Sequence, residues 1–165
     1  MIQDDVKVQK FEGPLQKVWD ASSLDSYKRC PRYYQYSVIE RWRFKSGEQV
    51  ASHWGTGFHH GVEHFYTAKF KGLEHDACID YALVALGKWL EENYLAETDN
   101  SRTGATLYRA IVWYADHWKD EPFTTEIMFD GTPALESRFE VPIPGTDLRL
   151  SGRLDRVAQW GELPV

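Results

Sequence analysis

Asp155 stands where a strand should not carry an acid. The run Leu148-Arg149-Leu150-Ser151-Gly152-Arg153-Leu154-Asp155-Arg156-Val157 reads as a strand entering a core. Asp is disfavoured in strands, and a carboxylate removed from water is costly unless it is paired or bound to a cation. An upstream helical segment supplies histidine. A strand carboxylate behind a glycine, with an imidazole from a helix, is a donor set for a divalent ion. The plain alternative is an acid at a strand edge paired with Arg153 or Arg156. Glu136 is a further candidate acid, although its place in the alternation reads first as solvent-facing.

The elements that would position these groups follow from spacing. Residues 1–20 are weakly patterned and read as an extended arm. Ser22-Ser23-Leu24-Asp25 offers a hydroxyl cap with an acid three residues on. The helix it starts should end near Cys30-Pro31, because the residue before proline disfavours helical geometry. Residues 32–39 favour helix, with Tyr34 and Val38 on one side. After a polar loop around Lys45-Ser46-Gly47, the residues Val50, Trp54, Phe58, Val62, Phe65 and Lys69 recur at helical steps and predict a buried stripe. Gly55, Gly57 and Gly61 lie inside that helix, each costing up to about 1 kcal/mol against alanine. Such costs imply close approach by another element or a ligand. Gly72 ends the helix.

A third helix is predicted over 74–94, with Ala77, Tyr81, Val84, Trp89 and Leu90 as candidate core. A fourth carries Leu107, Ile111, Tyr114 and Trp118 and stops before Pro122. The period then changes to two: Leu135, Ser137, Phe139, Val141 and Ile143 alternate with Glu136, Arg138 and Glu140. Pro144-Gly145-Thr146-Asp147 is a turn, 148–159 the returning strand, and Trp160-Gly161-Glu162 a second turn. The fold class is α+β or mixed α/β, a helical section packed on the start of a mostly antiparallel sheet. The expectation is one domain over 1–165: an arm at 1–20, helices at 21–121, strands at 122–165.

Composition narrows the function. Hydrophobic content of 42% excludes a disordered chain. No apolar run approaches the roughly 20 residues of a membrane helix, and the start lacks a basic-then-apolar signal pattern. Two cysteines make no disulfide framework, so a reducing cytoplasm is the simpler location. A net charge of −6 excludes a generally basic nucleic-acid binder but allows a local basic groove. Lys28, Arg29, Arg32, Arg41, Arg43 and Lys45 form such a local cluster, solvated charge being the ordinary explanation. Most aromatic residues, including Tyr33, Tyr34 and Tyr36, read as core rather than as a base-stacking platform.

Three segments in order carry a resemblance. They are Ala21 to Tyr34 with its Cys30-Pro31-Arg32-Tyr33, then Gly55-Thr56-Gly57-Phe58-His59-His60-Gly61-Val62-Glu63, then Glu136-Ser137-Arg138-Phe139 running on to Gly152-Arg153-Leu154-Asp155. Together they resemble the RecB-like branch of the PD-(D/E)XK nuclease superfamily, over roughly residues 20–165. The resemblance implies a restriction-endonuclease-like sheet and a metal-dependent DNA nuclease, an exonuclease of phage or bacterial recombination or repair. It implies that His59, four residues after a glycine, and Asp155, closing Gly-x-x-Asp, are catalytic and hold Mg²⁺ or Mn²⁺, with Glu136 as a possible third ligand. DNA would be the partner, contacted by Lys28, Arg29 and Arg32, with a helicase or recombination protein alongside, in the cytoplasm of a bacterial or phage-infected cell. The branch's next strand brings a second acid and a lysine two residues later, then a glutamine-tyrosine helix. These would lie beyond Val165, so the expectation is the N-terminal part of a nuclease, inactive alone. Some members hold a 4Fe–4S cluster on one early and three late cysteines, and Cys30 sits at the early position. Its other reading is a small buried residue before a proline. Cys78 reads as core.

Two further readings stand beside this one. The same fold without its lysine would be a non-catalytic nucleic-acid-binding module. His60-Gly61-Val62-Glu63-His64 fits the H-x-x-E-H pattern of inverted zinc peptidases. Those enzymes need a third glutamate ligand on a later helix, and the candidates Glu136 and Glu140 fall on predicted strand.

Overall fold

The structure is a computed structural model that describes residues 8–10, 17–44, 50–93 and 101–161. In chain order the elements are β1 (Val8–Lys10), β2 (Val18–Trp19), α1 (Ala21–Arg29), α2 (Pro31–Tyr34) running into a π-helical turn (Gln35–Ile39), and β3 (Trp42–Phe44). There follow α3 (Val50–Phe70), α4 (His75–Glu92), α5 (Gly104–His117), β4 (Phe123–Thr125), β5 (Leu135–Pro142), β6 (Arg149–Arg156) and β7 (Ala158–Trp160). The fold is mixed α/β. It divides into two compact units, one of Met1–Gly47 with Arg138–Arg153, the other of Glu48–Ser137 with Leu154–Val165.

In the first unit β1 pairs antiparallel with β3, and a second sheet has the order β2-β6-β5. Val18 lies opposite Arg149 and Trp19 opposite Leu150 in parallel register, so this sheet is less antiparallel than the alternation of 135–159 predicts. The expected arm therefore contributes a paired strand at Val18–Trp19. The remainder of that arm, residues 1–7 and 11–16, and Lys45 of the basic cluster lie outside the described residues. Helix α1 is capped by Asp20, whose carboxylate accepts the Ser23 N–H at 2.7 Å. The cap expected of Ser22 is thus displaced by two residues, because an ionised acceptor binds the first-turn donors more strongly than a hydroxyl. The helix stops at Cys30, held extended ahead of Pro31, as the pre-proline restriction requires. Tyr34 stacks on Trp19 and meets Tyr27 edge-on, whereas Tyr33 and Tyr36 are exposed rather than core.

The hydrophobic core lies in the second unit, among α3, α4 and α5. Phe65, Tyr66 and Ala68 of α3 meet Cys78, Ala82 and Leu86 of α4 and Leu107, Ile111 and Ala115 of α5, all fully or almost fully buried. Cys78 is core, as the sequence indicates. Of the α4 residues expected in the core, Trp89 and Leu90 pack against it, but Ala77, Tyr81 and Val84 are exposed, and Cys78, Ala82 and Leu86 face inward instead. Small residues on α4 let α3 approach closely. Beyond α5, β4 pairs antiparallel with β7, Phe123 opposite Trp160. The period-two signal was too short to reveal β4. The returning strand breaks at Val157, so 148–159 is two strands and not one.

Close approach explains two of the three helical glycines. A Cβ on Gly57 would sit 2.7 Å from Leu107 and 2.8 Å from Trp89, and one on Gly61 2.6 Å from Ile111. Leu107 and Ile111 are buried and have nowhere to move. Gly55 has nothing within 4 Å, so the close approach expected there is not found. Gly57→Ala and Gly61→Ala should each destabilise, since overpacking of about 1–3 kcal/mol outweighs a propensity gain of up to about 1 kcal/mol. Gly55→Ala should instead be neutral or stabilising. Urea denaturation of the three variants checks the contrast.

Candidate metal centre

Three side chains from distant parts of the sequence converge in the second unit. His59 comes from the middle of α3, Glu136 from the entry of β5, and Asp155 from the end of β6. His59 Nδ1 lies 3.4 Å from Asp155 Oδ1 and 3.7 Å from Glu136 Oε1. One donor atom from each residue falls within 4.8 Å of the others. The two separations exceed a good N–H···O hydrogen bond. They are close to the roughly 3 Å spacing of neighbouring ligands around an ion held by legs of about 2.1 Å. One imidazole nitrogen and two carboxylates fit a divalent cation of the Mg²⁺ or Mn²⁺ kind.

The burial of the two acids is the reverse of the sequence expectation. Asp155, read as a carboxylate planted in a core, has a side chain 66% exposed. Glu136, read as solvent-facing, has one 14% exposed. The reason lies in the backbone. Glu136 has φ +47°, in the left-handed region that non-glycine residues avoid. The chain is pinned two residues earlier: Ala134 is buried, its N–H donates to the Glu126 carbonyl at 2.8 Å, and its carbonyl accepts the Val157 N–H at 2.9 Å. Strain of about 1–3 kcal/mol of this kind persists only where the surroundings over-determine it. It turns Glu136 out of the regular alternation and inward to His59.

Asp155 is held by its neighbour. Successive strand residues point to opposite faces, so Arg156 turns into the protein as Asp155 turns out. Arg156 Nη1 donates to Glu121 Oε2 at 2.6 Å, Nε to Thr125 Oγ1 at 3.0 Å and Nη2 to the Phe123 carbonyl at 3.2 Å. Its guanidinium also lies 3.8 Å over the Tyr66 ring. Glu121, with a side chain 1% exposed, accepts from Lys69 Nζ at 3.0 Å and the Tyr66 hydroxyl at 3.2 Å as well. Burial, reinforced by the hydrogen bond with Tyr114, pushes the Tyr66 phenol well above its ordinary value and keeps it a neutral donor. Arg156 is therefore committed to Glu121, which removes it as the pairing partner considered for Asp155. Sequence reasoning missed Glu121. Its one signal was an acid set between Trp118 and Phe123 where the chain turns from helix to strand.

Most of the remaining predicted residues belong to the first unit, Cys78 to the second. Cys30 is exposed and not a buried pre-proline residue; its Sγ caps α2 by accepting the Tyr33 N–H at 3.4 Å. Cys78 is buried, its thiol donating to the Leu73 carbonyl. Lys28 is exposed, Arg29 pairs with Asp25 at 2.8 Å, and Arg32 covers the Tyr36 ring at 5.8 Å. Gly152 of Gly-x-x-Asp lies under Phe139, where a Cβ would come within 2.5 Å of the ring. Glu140 is paired with Arg149, and Glu136 is engaged with His59. Neither supplies the third ligand that an H-x-x-E-H peptidase needs.

The model of the PD-(D/E)XK nuclease superfamily matches residues 19–164, and the chain belongs to that superfamily. Neither curated proteins nor solved structures gave a significant match. No helix among the described residues is long and apolar enough to cross a membrane.

Two expected outcomes follow. Arg156→Ala leaves the Glu121 carboxylate short of its strongest donor and should cost about 3–5 kcal/mol of stability by urea denaturation. Glu136→Gly relieves the left-handed backbone and should leave the thermal midpoint unchanged or higher, while titration shows Mn²⁺ affinity falling at least about tenfold, or 1.4 kcal/mol.

Proposed function

We propose that the chain is the N-terminal part of a metal-dependent DNA nuclease, an exonuclease of the RecB-like branch acting in phage or bacterial recombination or repair. The observation that carries this reading is the convergence of His59, Glu136 and Asp155 at 3.4 and 3.7 Å, in a chain of the PD-(D/E)XK superfamily. A bound Mg²⁺ or Mn²⁺ would neutralise phosphate charge and acidify a water molecule.

The chain's own residues would do the rest. Asp155, being exposed, presents its carboxylate to an ion that also meets the substrate. Glu136, more buried, supplies a fixed negative charge behind it, held by backbone that cannot relax. His59 contributes a neutral nitrogen, with Phe58 edge-on at 6.3 Å limiting its ring. An imidazole in the set widens tolerance toward Mn²⁺. Lys28 and Arg32 of the first unit are the cations we assign to the DNA backbone, Arg29 sharing its charge with Asp25. The acid-x-lysine pair of the superfamily's chemistry would orient the attacking water, and residues 156–165 contain no lysine. We assign cleavage to a gene product that carries this chain together with such a pair.

The test is hydrolysis of end-labelled duplex DNA by that product in Mg²⁺ or Mn²⁺. Asp155→Asn should reduce the rate by more than about 100-fold, about 2.7 kcal/mol of barrier, with unchanged circular dichroism because the side chain is exposed. Linear DNA should be degraded and closed circular DNA spared. Undiminished cleavage by the variant would remove Asp155 from the site.

A further inference from the structure

We propose that His60, Glu63 and His64 form a second cation site on α3, one that takes a borderline transition ion such as Zn²⁺ or Ni²⁺. The three residues sit at i, i+3 and i+4, the spacing that brings side chains together on one face of a helix. One donor atom from each lies within 4.8 Å of the others. The two imidazole rings are 4.3 Å apart. His59 is one residue earlier and about 100° around the helix; it faces Glu136 and Asp155, whereas His60 and His64 face α4.

The His64 ring is braced as metal ligands usually are. His64 Nδ1 lies 2.8 Å from the His60 carbonyl. A carbonyl only accepts, so Nδ1 carries the hydrogen and Nε2 presents its lone pair. This is the outer-shell bond to a backbone carbonyl that fixes tautomer and ring direction in metal-binding histidines. Tyr81 stacks on His64 at 5.9 Å and Trp89 lies 6.4 Å from His60, so the rings are confined from α4 as well. They line a cleft of about 340 Å³ that also holds Lys88 and Glu92. Glu92 favours a cation there and Lys88 opposes one; Glu63 completes a net negative set.

The donors decide the ion. Two imidazoles and one carboxylate prefer Zn²⁺, Ni²⁺, Co²⁺ or Cu²⁺, whereas the site of His59, richer in oxygen, suits Mg²⁺ or Mn²⁺. One helix would thus carry two cation sites of different softness on different faces. Among the described residues no donor from a later helix joins these three within ligand spacing, Glu92 lining only the cleft around them, so we read the second as a binding site rather than a peptidase centre.

The experiment is Zn²⁺ titration of the purified chain by calorimetry, with bound metal counted after desalting. A His59→Ala, Asp155→Asn double variant, which disables the first site alone, should still bind about one Zn²⁺ per chain and gain thermal stability from it. His60→Gln, His64→Gln should lose that equivalent. Glu63→Gln should weaken binding about tenfold or more. If the first double variant binds no Zn²⁺, or the second binds as the unmodified chain does, the proposal fails. Should the second double variant not fold, the single His64→Gln change decides by the same criterion.

Discussion

The buried pair of Glu121 and Arg156 is the constraint on which the candidate centre depends. A carboxylate 1% exposed is tolerable only with its charge and lone pairs answered. Here the guanidinium, the Lys69 ammonium and the Tyr66 hydroxyl answer them. Each donor comes with a structural tie. Lys69 and Tyr66 belong to α3, Arg156 ends β6, and Glu121 stands between α5 and β4. The network therefore fastens the helix that carries His59 to the strand that carries Asp155. Because strand side chains alternate, anchoring Arg156 inward fixes Asp155 outward.

Helix α3 is the common support. Its inner face meets α5 so closely that Gly57 and Gly61 occupy space a methyl group would claim from Leu107 and Ile111. Its neighbouring faces hold His59 toward the strands and His60 and His64 toward α4. Glycines flanking the histidines thus have a packing reason, and the packing keeps the imidazoles where their partners are. Glu136 adds the one position where backbone conformation itself is spent on the centre, at φ +47°.

The resulting arrangement divides labour between a buried and an exposed acid. The buried one is held rigidly by its backbone; the exposed one is open to whatever approaches from solvent. A centre with both carboxylates buried would be closed to a polymeric substrate, and one with both exposed would be poorly organised. The membership of the chain in the PD-(D/E)XK superfamily is consistent with such an open centre.

Much of this was legible in the residues. The helical stripe of α3, the hairpin at 135–156, and the choice of His59 and Asp155 as candidates followed from spacing and from the ordered motifs, because periodicity and glycine placement are local properties. The inward turn of Glu136, the exposure of Asp155, the inner face of α4 and the role of Glu121 did not. A period-two pattern assigns Glu136 to solvent, and only the pinning of Ala134 by Glu126 and Val157 reverses it. An acid between helix and strand is unremarkable until three donors from other elements surround it. The sequence by itself determined which side chains have metal-binding chemistry and which segments carry them. The tertiary structure alone decided which acid is buried and which is open, since burial and charge pairing depend on contacts between residues far apart along the chain.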